Sequence, residues 1–160
     1  AYNYPAVIAQ FVAVIGDTRR HILIAGGLLA VVLVGAATVA AALLGRGGVL
    51  ATGSVGLLIP VLLSWLVTAV LVLVAERPVV GAFSELRRAT GARVDPSAPW
   101  SPLGVLPLDA SDLNWNHVVP LIAAANLQHA RARLALSAAV ITTAAFFLWM
   151  AISLAVAALA

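Results

Sequence analysis

The sequence predicts an all-α integral membrane protein: three transmembrane helices, an N-terminal interfacial helix and a cytoplasmic loop built as helix, proline-rich connector and helix. Three observations predict it. Hydrophobic residues are 63% of the 160 and charged residues only 9%, against about 25% charged in a soluble domain, and the mean hydropathy is +1.09. Three segments, 22–45, 49–75 and 134–159, carry no charge and each exceeds the roughly 20 residues that cross a hydrocarbon core. The arginines gather at one set of flanks of these segments. All of 1–160 reads as a single membrane domain.

Residues 2–16, YNYPAVIAQFVAVIG, are too polar at their start and too short to span. Val7, Ile8, Phe11, Val12 and Ile15 recur at helical intervals, which predicts an interfacial helix entered at Pro5, with Tyr2 and Tyr4 at headgroup level. Arg19, Arg20 and His21 then head the first span, 22–45. Its only charged separator from the second span, 49–75, is Arg46 within Gly45-Arg46-Gly47-Gly48. Glycines there supply positive φ for a tight turn, so the first two helices are antiparallel neighbours.

The cytoplasmic loop, 76–133, holds Arg77, Arg87, Arg88, Arg93, Arg131 and Arg133. With Arg19 and Arg20 they fall on one side, and Arg46 alone falls on the other. The bias of arginine toward the cytoplasm therefore predicts an N-terminus inside and a C-terminus outside a bacterial inner membrane. Residues 78–90 read as a short amphipathic helix ended by Gly91. Pro96, Pro99, Pro102 and Pro107 enforce an extended connector. A last helix capped near Asn116, with Pro120 in its first turn, continues into the third span, 134–159. Trp100 and Trp115 of the loop suit the membrane interface or a partner surface.

Small residues are the main device by which helices approach one another in lipid. Gly48, Thr52, Gly56, Pro60, Ser64 and Thr68 recur every fourth residue along the second span, one small face that could meet the first helix, a second copy or another protein. Gly26/Ala30, Ala36/Ala40 and Ala135/Ala139/Thr143 offer shorter versions. Pro60 is placed to kink the second span, with a Ser or Thr hydroxyl satisfying the freed carbonyl. Trp65 and Trp149 lie mid-span, where large rings fill gaps between helices.

Chemistry is sparse. No ionisable residue interrupts the three spans, which disfavours proton relays and charge-coupled transport. A transporter also wants a second inverted half, and none is visible. Cysteine is absent, removing thiolate ligands and thiol nucleophiles. His21, His117 and His129 contain no His–His pair at i, i+4. A bis-histidine haem between His21 and His129 is weighed against solvated or headgroup-bonding imidazoles, and the latter is favoured. No serine has a nucleophile-elbow context and no phosphate loop is present; Asp109 and Asp112 read as loop and capping residues. The expectation is a protein that is not an enzyme and has no cofactor, metal or nucleic-acid partner. The pI of 10.6 reflects topology-setting arginines, chiefly Arg19, Arg20, Arg131 and Arg133 beside His21.

Asp17-Thr18-Arg19 ahead of Ile22-Leu23-Ile24-Ala25 and Leu28-Leu29-Ala30, together with a basic helix from Leu121 to Leu136 bearing Gln128, His129, Arg131 and Arg133, resembles the membrane domain of Pycsar-type antiphage effectors. The resemblance implies a self-associating effector that perturbs the inner membrane on sensing a cyclic nucleotide; the connecting loop here is richer in proline than that family's. From the residues themselves, the expected role is a non-catalytic accessory subunit of a larger membrane complex. Its expected partners are the lipid bilayer and other membrane subunits or copies of itself.

Overall fold

A computed structural model describes residues 4–76 and 115–159. Helix α1 runs Tyr4–Arg46, α2 Val49–Gly56, α3 Leu58–Glu76 and α4 Trp115–Leu159; no strand occurs among the described residues. Three helical stretches, Ala13–Arg46, Thr52–Glu76 and Ala123–Ala158, are long and apolar enough to cross a membrane. The helix expected at 78–90, the proline-rich connector, Trp100, Asp109 and Asp112 lie outside the described residues, as does Tyr2.

The N-terminal segment is helical from Tyr4, but it is not a separate interfacial element. It continues through Gly16 into the first span without a break, because nothing in Gly16-Asp17-Thr18 prevents the i to i−4 ladder from propagating. Thr18 even returns its hydroxyl to the Val14 carbonyl at 2.7 Å within that helix. On the C-terminal side the last helix runs on into the third span as expected: α4 is one helix of 45 residues. Pro120 sits in its second turn, not its first, costing the one hydrogen bond to the Asn116 carbonyl.

At 1.5 Å per residue, α1 is about 65 Å long, twice a hydrocarbon core of roughly 30 Å. The portion from Asp17 to Arg46 covers about 45 Å, close to the full bilayer with its headgroup regions. The turn after Arg46 forms as the glycines require. Gly47 and Gly48 have φ of 70° and 98°, and the Gly47 amide donates to the Leu44 carbonyl at 3.2 Å.

The second span is broken, at Leu57. Proline at 60 has no amide to offer the Gly56 carbonyl and its ring presses on that carbonyl, so the ladder lapses just ahead of it. Leu57 itself stays in the right-handed region, φ −68° and ψ −9°, and its amide reaches Gly53. The seam keeps its phase across this interruption, Ser54 and Leu58 both being buried. No Ser or Thr hydroxyl among the described residues reaches the Gly56 carbonyl. The Trp149 indole instead donates to the Ser54 carbonyl at 2.8 Å.

Packing follows a seven-residue repeat on every helix. On α1 the inward residues are Thr18, Ile22, Ala25, Leu29, Val32, Ala36, Val39 and Leu43, and on α3 Leu58, Val61, Trp65, Thr68, Val72 and Ala75. On α4 they are Ala125, Gln128, Ala132, Ala135, Ala139, Thr142, Phe146, Trp149 and Ser153. Alternating steps of three and four are the register of left-handed knobs-into-holes packing. Helix α4 packs along both α1 and α3, and α1 meets α3 less extensively.

The interior mixes small and hydroxyl-bearing residues with a few large ones, while the exterior is large and apolar. Ala132, Ala135, Ala139, Thr142 and Ser153 are fully buried, whereas Leu23, Val34, Ile141 and Leu148 stand out. Water would drive such a surface to collapse, but lipid is as apolar as leucine, so only close packing and hydrogen bonds select the inner face. One contact sets the approach of α1 and α4: a Cβ added at Gly35 would meet Phe146 Cζ at 2.8 Å. Phe146 in turn rests on Trp149, ring centroids 5.9 Å apart.

Candidate functional site

The six-residue stripe of the second span is divided by its surroundings. Ser64 and Thr68 turn inward to α4, while Gly48, Thr52, Gly56 and Pro60 are exposed. Inside, the hydroxyls form a directed chain. Thr68 donates to the Ser64 carbonyl at 2.8 Å, so its one proton is used and it accepts from Thr142 at 3.0 Å. With that proton used as well, Thr142 accepts from the Ser64 hydroxyl at 2.7 Å. Three hydroxyls are thereby satisfied across two helices in a region without water. Trp65 joins the third helix pair, its indole donating to the Leu29 carbonyl at 2.8 Å. The mid-span tryptophans thus fill gaps between helices, as their depth suggested, and also tie helix to helix by backbone hydrogen bonds.

Outside, Gly53 and Gly56 have no atom within 4 Å of a Cβ position, and Thr52 and Pro60 beside them are exposed. The shorter patterns behave differently from one another. Ala36, Ala135 and Ala139 are buried, whereas Ala30 faces outward.

A second constellation lies at the end of the bundle that carries Arg19, Arg20, Arg131 and Arg133. Contacts of Thr18 with His129 and of Gln128 with the Ala75 carbonyl at 3.2 Å bring α1, α3 and α4 together there. Arg46 is at the far end of α1. Arg19, Arg20 and Arg133 are exposed and Arg131 is half-buried. His21 does not join them in solvent; it turns into the gap between α1 and α4.

Asp17 and His21 are four residues apart on α1 and so share a face. Across from them α4 supplies His129. Asp17 Oδ2 lies 3.5 Å from His21 Nδ1 and 3.8 Å from His129 Nε2, and the two imidazoles meet edge to face at 5.5 Å and 71°. Thr18 fixes the His129 tautomer. Its hydroxyl proton goes to the Val14 carbonyl, so at 3.2 Å from His129 Nδ1 it can only accept. Nδ1 then carries a hydrogen, and Nε2 is the ring nitrogen that faces the Asp17 carboxylate. His21 Nδ1 is buried without a hydrogen-bond partner, its approach to Asp17 being within ion-pair range but misaligned for a hydrogen bond. One ligand atom from each of Asp17, His21 and His129 lies within 4.8 Å of the others.

The expectation of no metal-ligating pattern rested on pairs of histidines alone. The usable spacing is Asp17–His21, and the remaining donor comes from a helix more than a hundred residues later in the chain. Asp17 and Thr18 are the residues that spacing of histidines alone misses. His117 lies in the first turn of α4, remote along that helix from His129. Comparison with protein-family models, with curated proteins and with solved structures found no match to this chain.

Proposed function

We propose that this chain is a non-catalytic accessory subunit of a larger bacterial membrane complex. Its arginine-bearing end, with Arg19, Arg20, Arg131 and Arg133, would face the cytoplasm of the inner membrane and its C-terminus the outside, the orientation that positive charge favours. The observation that carries the subunit reading is the open half of the small-residue stripe. Thr52, Gly53, Gly56 and Pro60 form a shallow face on α2 and the start of α3 that no helix covers among the described residues. Such a face lets a further helix bring its backbone close, which is where association energy in lipid comes from.

Affinity purification in mild detergent at native abundance tests this. Stoichiometric recovery of one heteromeric assembly, lost when Gly56 is replaced by leucine, is the expected result. Recovery of copies of this chain alone would overturn it in favour of a self-associating effector of the Pycsar type, which also predicts toxicity on overproduction.

A further inference from the structure

We infer that Asp17, His21 and His129 bind one divalent transition-metal ion of the zinc class, which clamps α1 to α4 at the arginine-bearing end. The inference stands apart from the subunit reading and does not depend on it.

Its basis is the convergence of three possible ligand atoms, one each from Asp17, His21 and His129, within 4.8 Å of one another. With its Nδ1 held by Thr18, His129 turns Nε2 toward an Asp17 carboxylate oxygen 3.8 Å away. On the other side His21 Nδ1 is buried and unbonded 3.5 Å from the same oxygen. In their neutral form the two imidazoles each offer a nitrogen lone pair beside that carboxylate, and a cation at the centre bonds all three. Tetrahedral coordination at about 2.0–2.1 Å separates ligand atoms by roughly 3.4 Å, so the two spacings to Asp17, 3.5 and 3.8 Å, need only a small contraction, and the two histidine nitrogens, within 4.8 Å of each other, close by a side-chain adjustment. Two imidazole nitrogens with one carboxylate favour zinc, cobalt, nickel or copper over magnesium and calcium, which prefer oxygen throughout.

The surroundings are those of a metal ligand set. Thr18 holds the far nitrogen of His129, as an outer partner does when it fixes tautomer and ring orientation. Asp17 is half exposed, with 51% of its side chain accessible, so the fourth position opens to the aqueous side and a water or a polar group of a neighbouring molecule completes the coordination. Arg19 and Arg20 are exposed and form no ion pair with Asp17 among the described residues, leaving the carboxylate available. The clamp would fasten together the parts of α1 and α4 that rise beyond the hydrocarbon.

The test uses the full chain without a polyhistidine tag, purified in detergent, stripped with chelator and titrated with Zn²⁺ by calorimetry and with Co²⁺ by visible absorption. Expected are one ion per chain and the intense visible bands of four-coordinate Co²⁺. His21→Ala and His129→Ala should each lower affinity at least tenfold, and Asp17→Asn, which keeps the side chain's shape, should do the same. Thr18→Val should cost 10–100-fold through misorientation of His129, while His117→Ala should change nothing. Circular dichroism establishes that each variant keeps its helix content, and Zn²⁺ should raise the thermal midpoint of the unsubstituted chain but not of Asp17→Asn. Binding of Zn²⁺ that is unaltered in Asp17→Asn and Thr18→Val, or Co²⁺ that stays six-coordinate and pale, would overturn the assignment.

Discussion

Replacing Thr142 by valine keeps a branched side chain of nearly the same volume and deletes one hydroxyl at a fully buried position. That hydroxyl is the middle of the Ser64, Thr142, Thr68 chain, so both bonds between α3 and α4 at this level are lost. Hydrogen bonds between membrane helices contribute ~0.6 kcal/mol on average and about 1.7 at most. Two of them give roughly 1–3 kcal/mol, with the lower end expected because Ser64 can turn its proton to the carbonyl one turn back in its own helix. Unfolding by denaturing detergent in mixed micelles, followed by the fluorescence of Trp65, measures the change. The informative control is Thr38→Val, since Thr38 is exposed and bonds only to the Val34 carbonyl in its own helix. A double-mutant cycle of Ser64→Ala with Thr142→Val should give a coupling of about 0.6 kcal/mol or more. A coupling of zero, or equal effects for Thr142→Val and Thr38→Val, would refute the directed chain of hydroxyls.

Gly35→Ala should destabilise the bundle by about 1–3 kcal/mol through overpacking against the Phe146 ring, and Phe146→Leu in the same chain should restore most of it, both read in the same detergent titration. Trp149→Phe should cost about 1 kcal/mol, mostly from the lost bond to the Ser54 carbonyl, and should speed hydrogen exchange at amides around Leu57; unchanged exchange would detach the indole from the break. Since the chain has no cysteine, single cysteines report topology directly. Gly47→Cys should react with an impermeant thiol reagent added outside intact cells, and Asn126→Cys only after the cells are opened.

Composition, the length of uncharged runs and the positions of glycine and proline were enough to determine that three helices are long and apolar enough to cross a membrane, where the glycine turn lies and that Pro60 disturbs the second span. These are local matters: hydrocarbon thickness, positive φ and a missing amide each act on a few neighbouring residues. The continuity of α1 through Gly16 was less legible, because the polarity change at Asp17 looks like an element boundary although no residue there breaks a helix. Which face of each span turns inward was hidden for a physical reason. Nearly every residue of a span is apolar, so hydrophobic periodicity fades, and the choice falls to backbone approach at Gly35, Ala132, Ala135 and Ala139 and to hydroxyls finding partners across helices. The stripe from Gly48 to Thr68 is regular in sequence, yet only the position of α4 divides it into a bonded half and an open half. The same holds for Asp17, His21 and His129. Four residues of spacing place the first two on one face, but the third arrives only because α4 returns beside α1 in a register that sets His129 against Thr18, and register is a property of packed helices that no single helix contains.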